Sequence, residues 1–348
     1  MSTVLIAAVL TGLASVAGVS LFRRRAAGWG LLDVPNDRSL HATPVPRGAG
    51  VVIGTLAIIA IVILGLSGTA GTPQVAVVYG AASLAVVILG WMDDRWSLPA
   101  SRRLAAQAAL AIAVVLACGW YRTVTLPALP PLRLDAAGFI VTVVWLVGLV
   151  NAYNFMDGID GLAAGQSLVT ASCWIAAGVL LGAPFAIAVA SVIAASSAAF
   201  LVHNWSPARV FLGDAGSNFL GLSFAMLPLT IDAGAAAGRV PLAAVMFVGV
   251  FLIDTVFTFT RRLLAGENVL QAHRTHLYQR LIACGYSHGV VAAWWLTLGA
   301  ASGAAGLLYL TGGSDLPVGL MLAAVVAAMF GSVQIAEARS STGIVNRS

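Results

Sequence analysis

The sequence predicts an all-α, polytopic integral membrane protein of about eleven transmembrane helices, with its N-terminus outside and its C-terminus cytoplasmic. Three observations carry this expectation. Hydrophobic residues make up 60% of the chain and charged residues 9%, with a mean hydropathy of +0.96; an ordinary soluble domain carries roughly 25% charged residues. Apolar stretches of about twenty residues recur, each long enough to cross a hydrocarbon core of about 30 Å. All 18 basic residues are Arg, and with the N-terminus outside only Arg122, Arg133 and Arg239 fall on the outer side, as the positive-inside rule requires. A transmembrane barrel would instead show alternating strands of about ten residues.

The spans are expected near residues 3–22, 49–68, 75–92, 104–119, 137–153, 162–182, 184–202, 217–235, 240–260, 289–310 and 316–336. The first has the length of a signal peptide. It lacks a basic start, however, and Arg23, Arg24 and Arg25 follow it, which suits a retained helix. Residues 1–348 read as a single polytopic domain, without a soluble domain, a long linker or a clear repeat. The net charge of +5 is mainly a topology signal. No nucleic-acid motif accompanies it, and no nucleic-acid partner is expected. Cys118, Cys173 and Cys284 are scattered without metal-ligand spacing and read as packing residues.

The acidic residues sharpen the picture. Asp135, Asp232 and Asp315 fall in short outer loops and Glu337 near the C-terminus, while the rest gather at the cytoplasmic face. Asp254 lies inside an apolar run about two turns before Arg261. A carboxylate at mid-helix in lipid costs about 2.5–3.5 kcal/mol, so Asp254 should face a polar cavity or a partner near the inner mouth. Five cytoplasmic loops are rich in functional groups, and the outer loops carry nothing comparable. An enzyme whose water-soluble substrate meets a lipid at the inner leaflet has this pattern.

The first loop, DVPNDRSLHATPVPRGAG, offers Arg38, His41 and Arg47, either to an anionic headgroup or to an ordered turn. The second, GWMDDRWSLPASRRL, ends an apolar helix on Asp93 and Asp94. Adjacent carboxylates repel, so the pair suits a divalent cation or a cationic partner, or else is a solvated helix end. In the third, NAYNFMDGIDGLAAG, Asn151, Asn154, Asp157 and Asp160 are spaced by three, and such neighbours share a helical face. Gly158 and Gly161 suggest that the helix breaks there. Carboxamides read base edges and sugar hydroxyls, and carboxylates hold Mg²⁺ or ribose; the bland alternative is a polar helix end.

In the fourth loop, FLGDAGS puts Asp214 between glycines before another apolar helix. It reads as an N-cap, or as a phosphate site with Asp214 on the accompanying metal. The fifth, AHRTHLYQRL, interleaves His273 and His276 with Arg274 and Arg280. Zinc wants three or four ligands, and His with Arg suits a diphosphate better; a basic topology loop is the alternative.

In order and shared face, the stretches RSLHATPVPRGAG, GWMDDR, NAYNFMDGIDGLAAG, FLGDAGSNFLG and AHRTHLYQRL resemble the polyprenyl-phosphate N-acetylhexosamine-1-phosphate transferases. The resemblance covers most of the chain and implies one transferase domain over 1–348. It implies that a UDP-N-acetylhexosamine, carrying GlcNAc or a deoxy-N-acetylhexosamine, gives its sugar-1-phosphate to undecaprenyl phosphate. The products would be undecaprenyl-diphosphate sugar and UMP. Mg²⁺, or Mn²⁺, would be bound by Asp214 with Asn154. Asp93 and Asp94 would orient or deprotonate the lipid phosphate, and His273, Arg274 and His276 would offset diphosphate charge. Asn151, Asn154, Asp157 and Asp160 would line the nucleotide-sugar pocket, with Arg38, His41, Arg47 and Arg280 as further anion contacts.

The fifth loop lacks the consecutive histidines of the peptidoglycan branch. The resemblance therefore favours the O-antigen initiating branch, in the bacterial inner membrane with a cytoplasmic-face site, and a homodimer is implied. Ala49 departs from the glycine run expected in the first loop. The rival class is a transporter or an exporter of an anionic or lipid-linked sugar. It predicts polar groups at the bilayer midplane on repeated halves. Here the carboxylates gather at one face.

Overall fold

The computed structural model describes residues 1–34, 44–269, 271 and 273–341. Thirteen α-helices follow in order: α1 (Ser2–Arg25), α2 (Gly50–Leu66), α3 (Pro73–Trp96), α4 (Ala100–Cys118), α5 (Ala137–Met156), α6 (Leu162–Leu181), α7 (Pro184–Asn204), α8 (Gly213–Met226), α9 (Val240–Phe247), α10 (Gly249–Leu264), α11 (Leu277–Ala283), α12 (His288–Leu310) and α13 (Asp315–Ser341). Among the described residues, strands are confined to two short antiparallel pairs, β1 (Leu32–Asp33) with β2 (Val45–Pro46) and β3 (Thr123–Val124) with β4 (Leu132–Arg133). The chain is an all-α, multi-pass membrane protein.

Every expected span lies on helix. Among the described residues, eight helices are long and apolar enough to cross a membrane. Three expected spans are built differently. α2 has 17 residues, and α8 has 14 before a 3₁₀ turn at Leu227–Thr230 continues it. The expected continuous span 240–260 is broken: α9 and α10 meet at 80°. Within a membrane such a break is tolerated only where the freed carbonyls find donors. Here the Phe247 carbonyl accepts from Gln166 Nε2 (3.2 Å) and Thr170 Oγ1 (3.0 Å), and the Met246 carbonyl from Ser302 Oγ (2.6 Å).

α10 then presents Asp254, Thr258 and Arg262 inward, four residues apart, while Val256, Phe259, Leu263 and Leu264 stay exposed. The face turned to the protein is the polar one.

α8 is the axis of the site. Every residue of it except Asp214 is buried, as expected for a helix that is apolar on all sides. It packs against α3, α5 and α2. Glycine makes these approaches close: a Cβ on Gly90 of α3 would collide with the Asp214 backbone, and one on Gly50 of α2 with Gly216. Small residues allow membrane helices to meet this way. The result delivers the start of α8 to the end of α3.

At the opposite end, the loop between α4 and α5 meets α9, α12 and α13. Thr125 N–H donates to the Gly238 carbonyl (2.7 Å), Tyr309 Oη to the Thr125 carbonyl (2.5 Å), and Ala128 N–H to Asp315 (2.6 Å). The outer-loop groups expected from the charge pattern thus share one end, and the motif loops share the other.

Candidate active site

The site starts from an uncapped helix. α8 has no side-chain cap of its own, so its first N–H groups need an outside acceptor. Asp94, at the end of α3, supplies it: its Oδ1 accepts from Asp214 N–H at 3.0 Å and its Oδ2 from Ala215 N–H at 3.1 Å. Gly213 permits the fit, at φ +75 with an added Cβ only 2.7 Å from Asp94 Oδ2. Arg47 Nε lies 3.1 Å from Asp94 Oδ1, and the Asp94 side chain is 2% exposed. Of the two sequence readings of FLGDAGS, the cap therefore comes from Asp94, and the Asp214 side chain is left to face outward.

Asp214 Oδ1 accepts from Arg47 Nη2 and from Asn154 Nδ2, each at 3.0 Å, and Arg103 Nη1 is 3.4 Å from Oδ2. Asp93 shares Arg103 with Asp214 and lies beside its carboxylate. Asp93 Oδ1 accepts from Leu98 N–H (2.7 Å) and fixes the α3–α4 turn, while its Oδ2 pairs with Arg103. The DDR pair is thus a fork whose two carboxylates have different partners. Two guanidiniums offset three carboxylates, which is the condition under which such charges tolerate burial.

α5 brings Asn151 and Asn154. Asn151 Nδ2 donates to Gln107 Oε1 and to the Val147 carbonyl, both at 2.8 Å. Asn154 also donates to Ser217 Oγ (3.2 Å). The helix ends at Met156, so Asp157 and Asp160 leave the helical face that the spacing suggested. Both still line the same cavity. Burial, with the nearby charge of Asp214, lifts the Asp157 carboxyl well above the usual range against the pull of Arg47.

Asp160 is held differently. Burial would raise its carboxyl, but hydrogen bonds from His288 and the Ala208 N–H hold it below the usual range. Its Oδ2 accepts from Ala208 N–H (3.0 Å) and its Oδ1 is 3.3 Å from His288 Nδ1. Asp160 ties loop 157–161 to the segment after α7 and to the start of α12.

In the fifth loop the His273 and His276 rings stack at 5.0 Å, and His276 continues onto Tyr278 at 5.8 Å. Burial and the neighbouring His276 and Arg262 push His273 down to about 4, so the imidazole is neutral near pH 7. Arg274 lines the cavity. Arg280, expected as an anion contact, is not among the lining residues of that cavity; its Nε and Nη2 clamp Glu337 of α13, both at 2.7 Å. Arg38 and His41 lie outside the described residues. The third member of the first loop, Arg47, is placed by backbone pairing with the fourth: Phe211 N–H donates to the Pro46 carbonyl (2.7 Å) and Gly48 N–H to the Phe211 carbonyl (3.2 Å).

Apart from Asp93, Asp94 and Arg280, the expected site residues among the described ones line one cavity of about 790 Å³, within the size range of small-molecule sites. Its lining includes Arg47, Arg103 and Asp214, Asn151 and Asn154, the 157–160 loop, and His273, Arg274 and His276. Sequence reasoning missed Arg103, read there as a topology charge, and also Gln107, Asn204, Tyr278 and His288. Arg103 carried a usable signal: Pro99 turns the chain just after Asp93, so the next basic residues return toward it.

Among the described residues no three His, Cys, Asp or Glu form a metal-binding group by themselves. The groups bonded to the Asp214 carboxylate are the nitrogens of Arg47, Arg103 and Asn154, so Asp214 brings one carboxylate, and Mg²⁺ commonly takes one or two carboxylates plus substrate phosphates.

Residues 75–232 match the model of glycosyl transferase family 4. That segment runs from α3 through α8 and contains the fork, the Asn/Asp loop and Asp214. The chain is 30% identical over 269 residues to a probable undecaprenyl-phosphate N-acetylglucosaminyl 1-phosphate transferase of Bacillus subtilis (strain 168), covering 77% of this chain and 74% of the relative. The chain belongs to the polyprenyl-phosphate N-acetylhexosamine-1-phosphate transferases of glycosyl transferase family 4. It is also 32% identical over 300 residues to the decaprenyl-phosphate N-acetylglucosaminephosphotransferase of Mycobacterium tuberculosis (strain ATCC 25618 / H37Rv), covering 76% and 72% of the two chains. An undecaprenyl-phosphate alpha-N-acetylglucosaminyl 1-phosphate transferase of Escherichia coli O157:H7 is 27% identical over 275 residues, covering 74% and 71%. As a member of this family the protein is a phosphotransferase.

Proposed function

We propose that this protein moves N-acetylhexosamine-1-phosphate from a UDP-sugar to undecaprenyl phosphate, giving undecaprenyl-diphosphate sugar and UMP, and so starts a cell-surface polysaccharide such as O-antigen. One observation carries the reading. A cavity large enough for a nucleotide sugar is lined by Asp214, on which Arg47 and Arg103 converge, and by the two histidines of the fifth loop. The names of the relatives make GlcNAc the first donor to test.

Phosphoryl transfer asks the protein to position two anions and neutralise their charge. Arg47 and Arg103 are pre-positioned against carboxylates. Guanidinium binds phosphate with the same fork geometry, so an arriving phosphate takes over from the carboxylate and frees Asp214. Asp214, with Asn154 or Asp157 beside it, would hold Mg²⁺ or Mn²⁺, which when bound neutralises phosphate charge. Asn154 carries its Nδ2 toward Asp214, so a part in holding the ion requires its Oδ1 to turn inward.

Asp93 acts through Arg103 to place the lipid phosphate. A base is dispensable there, because a phosphate monoester is largely ionised near neutral pH. His273, Arg274 and His276 meet the diphosphate as UMP leaves. The basic bias of the motif-bearing end supports a cytoplasmic-side site, and the reaction proposed belongs to the bacterial inner membrane.

The test uses UDP-GlcNAc radiolabelled in its β-phosphate, purified protein in detergent, undecaprenyl phosphate and Mg²⁺. Label should move to the organic phase, and chelation by EDTA should abolish the transfer. Label that stays with the nucleotide for every UDP-N-acetylhexosamine tried, from folded protein, contradicts the proposal.

A further inference from the structure

Asp254 is the most deeply buried carboxylate of the motif-bearing end, and the transfer chemistry above makes no use of it. It sits on α10, and its side chain is 0% exposed. Every donor around it comes from its own helix or from the fifth loop. Oδ1 accepts from Thr258 Oγ1 (3.2 Å), Leu277 N–H (2.9 Å) and His276 Nδ1 (2.9 Å), and Oδ2 from Tyr278 N–H (3.1 Å). The two backbone bonds fasten the start of α11. The bond to His276 is the informative one.

An ionised carboxylate can only accept, so the hydrogen of this bond belongs to His276 Nδ1. That fixes the tautomer and leaves Nε2, on the far side of the ring, as the free nitrogen. Packing restrains the ring further, between His273 at 5.0 Å on one side and Tyr278 at 5.8 Å on another. His276 lines the main cavity. A hydrogen bond, a stack and a cavity wall therefore agree on one orientation.

We propose that Asp254 is a positioning residue of the transfer reaction: it holds His276 through Nδ1–H, so that Nε2 faces the cavity and the diphosphate. This inference rests on the transferase reading of the cavity. It assigns work to a residue outside the matched segment 75–232. It also explains why a carboxylate stands within an apolar helix, since a buried carboxylate without partners would be strongly destabilising.

The experiment is a double-mutant cycle on the full chain, with UMP release and melting temperature measured together. Asp254→Asn keeps an oxygen acceptor and removes the charge. His276→Asn keeps a donor toward Asp254 and removes Nε2. Each single variant should lower kcat about a hundredfold, with KM for the UDP-sugar within about twofold. The double variant should be no slower than His276→Asn alone, because two residues acting as one unit lose their contribution once.

If Asp254→Asn fails to fold, nitrogen-labelled histidine NMR of the wild type reads the tautomer directly. His276 should then carry its hydrogen on Nδ1. Multiplicative losses in the double variant, a full kcat in Asp254→Asn, or an Nε2–H tautomer would each overturn the proposal. Failure of the underlying reading looks different: the wild type itself releases no UMP.

Discussion

Asp94 and Asp214 are joined by a single hydrogen bond, yet their contacts give them opposite work. Asp94 spends both oxygens on the backbone that opens α8. Asp214 keeps its carboxylate against movable guanidiniums and an amide. Asp94→Ala should lower stability by about 1–2 kcal/mol, the scale of a lost helix cap, and melting in detergent checks it. Asp214→Asn should leave melting unchanged while abolishing turnover. His273 gives a third outcome at this scale. Held at about 4, it is unprotonated at pH 6, and an adjacent diphosphate favours its charged form. Binding of UDP-sugar at pH 6 should therefore take up a proton in the wild type and less in His273→Gln, as calorimetry in buffers of different ionisation enthalpy would read. The residue types of the site were legible because carboxylates and carboxamides stand out against a chain with 9% charge. Their division of labour was not, because it is set by which oxygen meets which N–H, and Arg280 looked like an anion contact until Glu337 was seen beside it.

Helices explain where these residues meet. α3 and α8 approach closely only because Gly90 has no side chain at their crossing. Gly90→Val should lose folded protein altogether, read as loss of the monodisperse peak in size-exclusion chromatography. Arg280 and Glu337 join α11 to α13 through two bonds of 2.7 Å. The pair is partly exposed, so its loss costs little, about 0.2–1 kcal/mol. Arg280→Ala should melt slightly earlier and keep its kcat. Apolar length marked every helix but the short α11, since hydropathy reports burial in lipid or protein alike. It could not show the break at Val248 between α9 and α10. The residues that satisfy that break, Gln166, Thr170 and Ser302, lie on α6 and α12, far away in sequence.

For the molecule as a whole, the bundle gathers loops from the entire chain around one cavity at one end. Arg47 precedes α2, Arg103 begins α4, Asp214 begins α8 and His276 precedes α11. The sequence announced this only as five polar loops on one side. Neutralisation explains why they must meet, since the carboxylates of α3 and α8 need the guanidiniums of the first loop and α4 to be buried at all. The central claim is that this junction is where phosphate changes hands. The most direct measurement is UMP release by wild-type and Asp214→Asn protein side by side, with UDP-GlcNAc, undecaprenyl phosphate and Mg²⁺, at matched melting temperature. Release that requires both lipid and metal in the wild type, and falls to background in the variant, is the predicted result. Equal release from the two proteins would place the chemistry elsewhere and contradict the account.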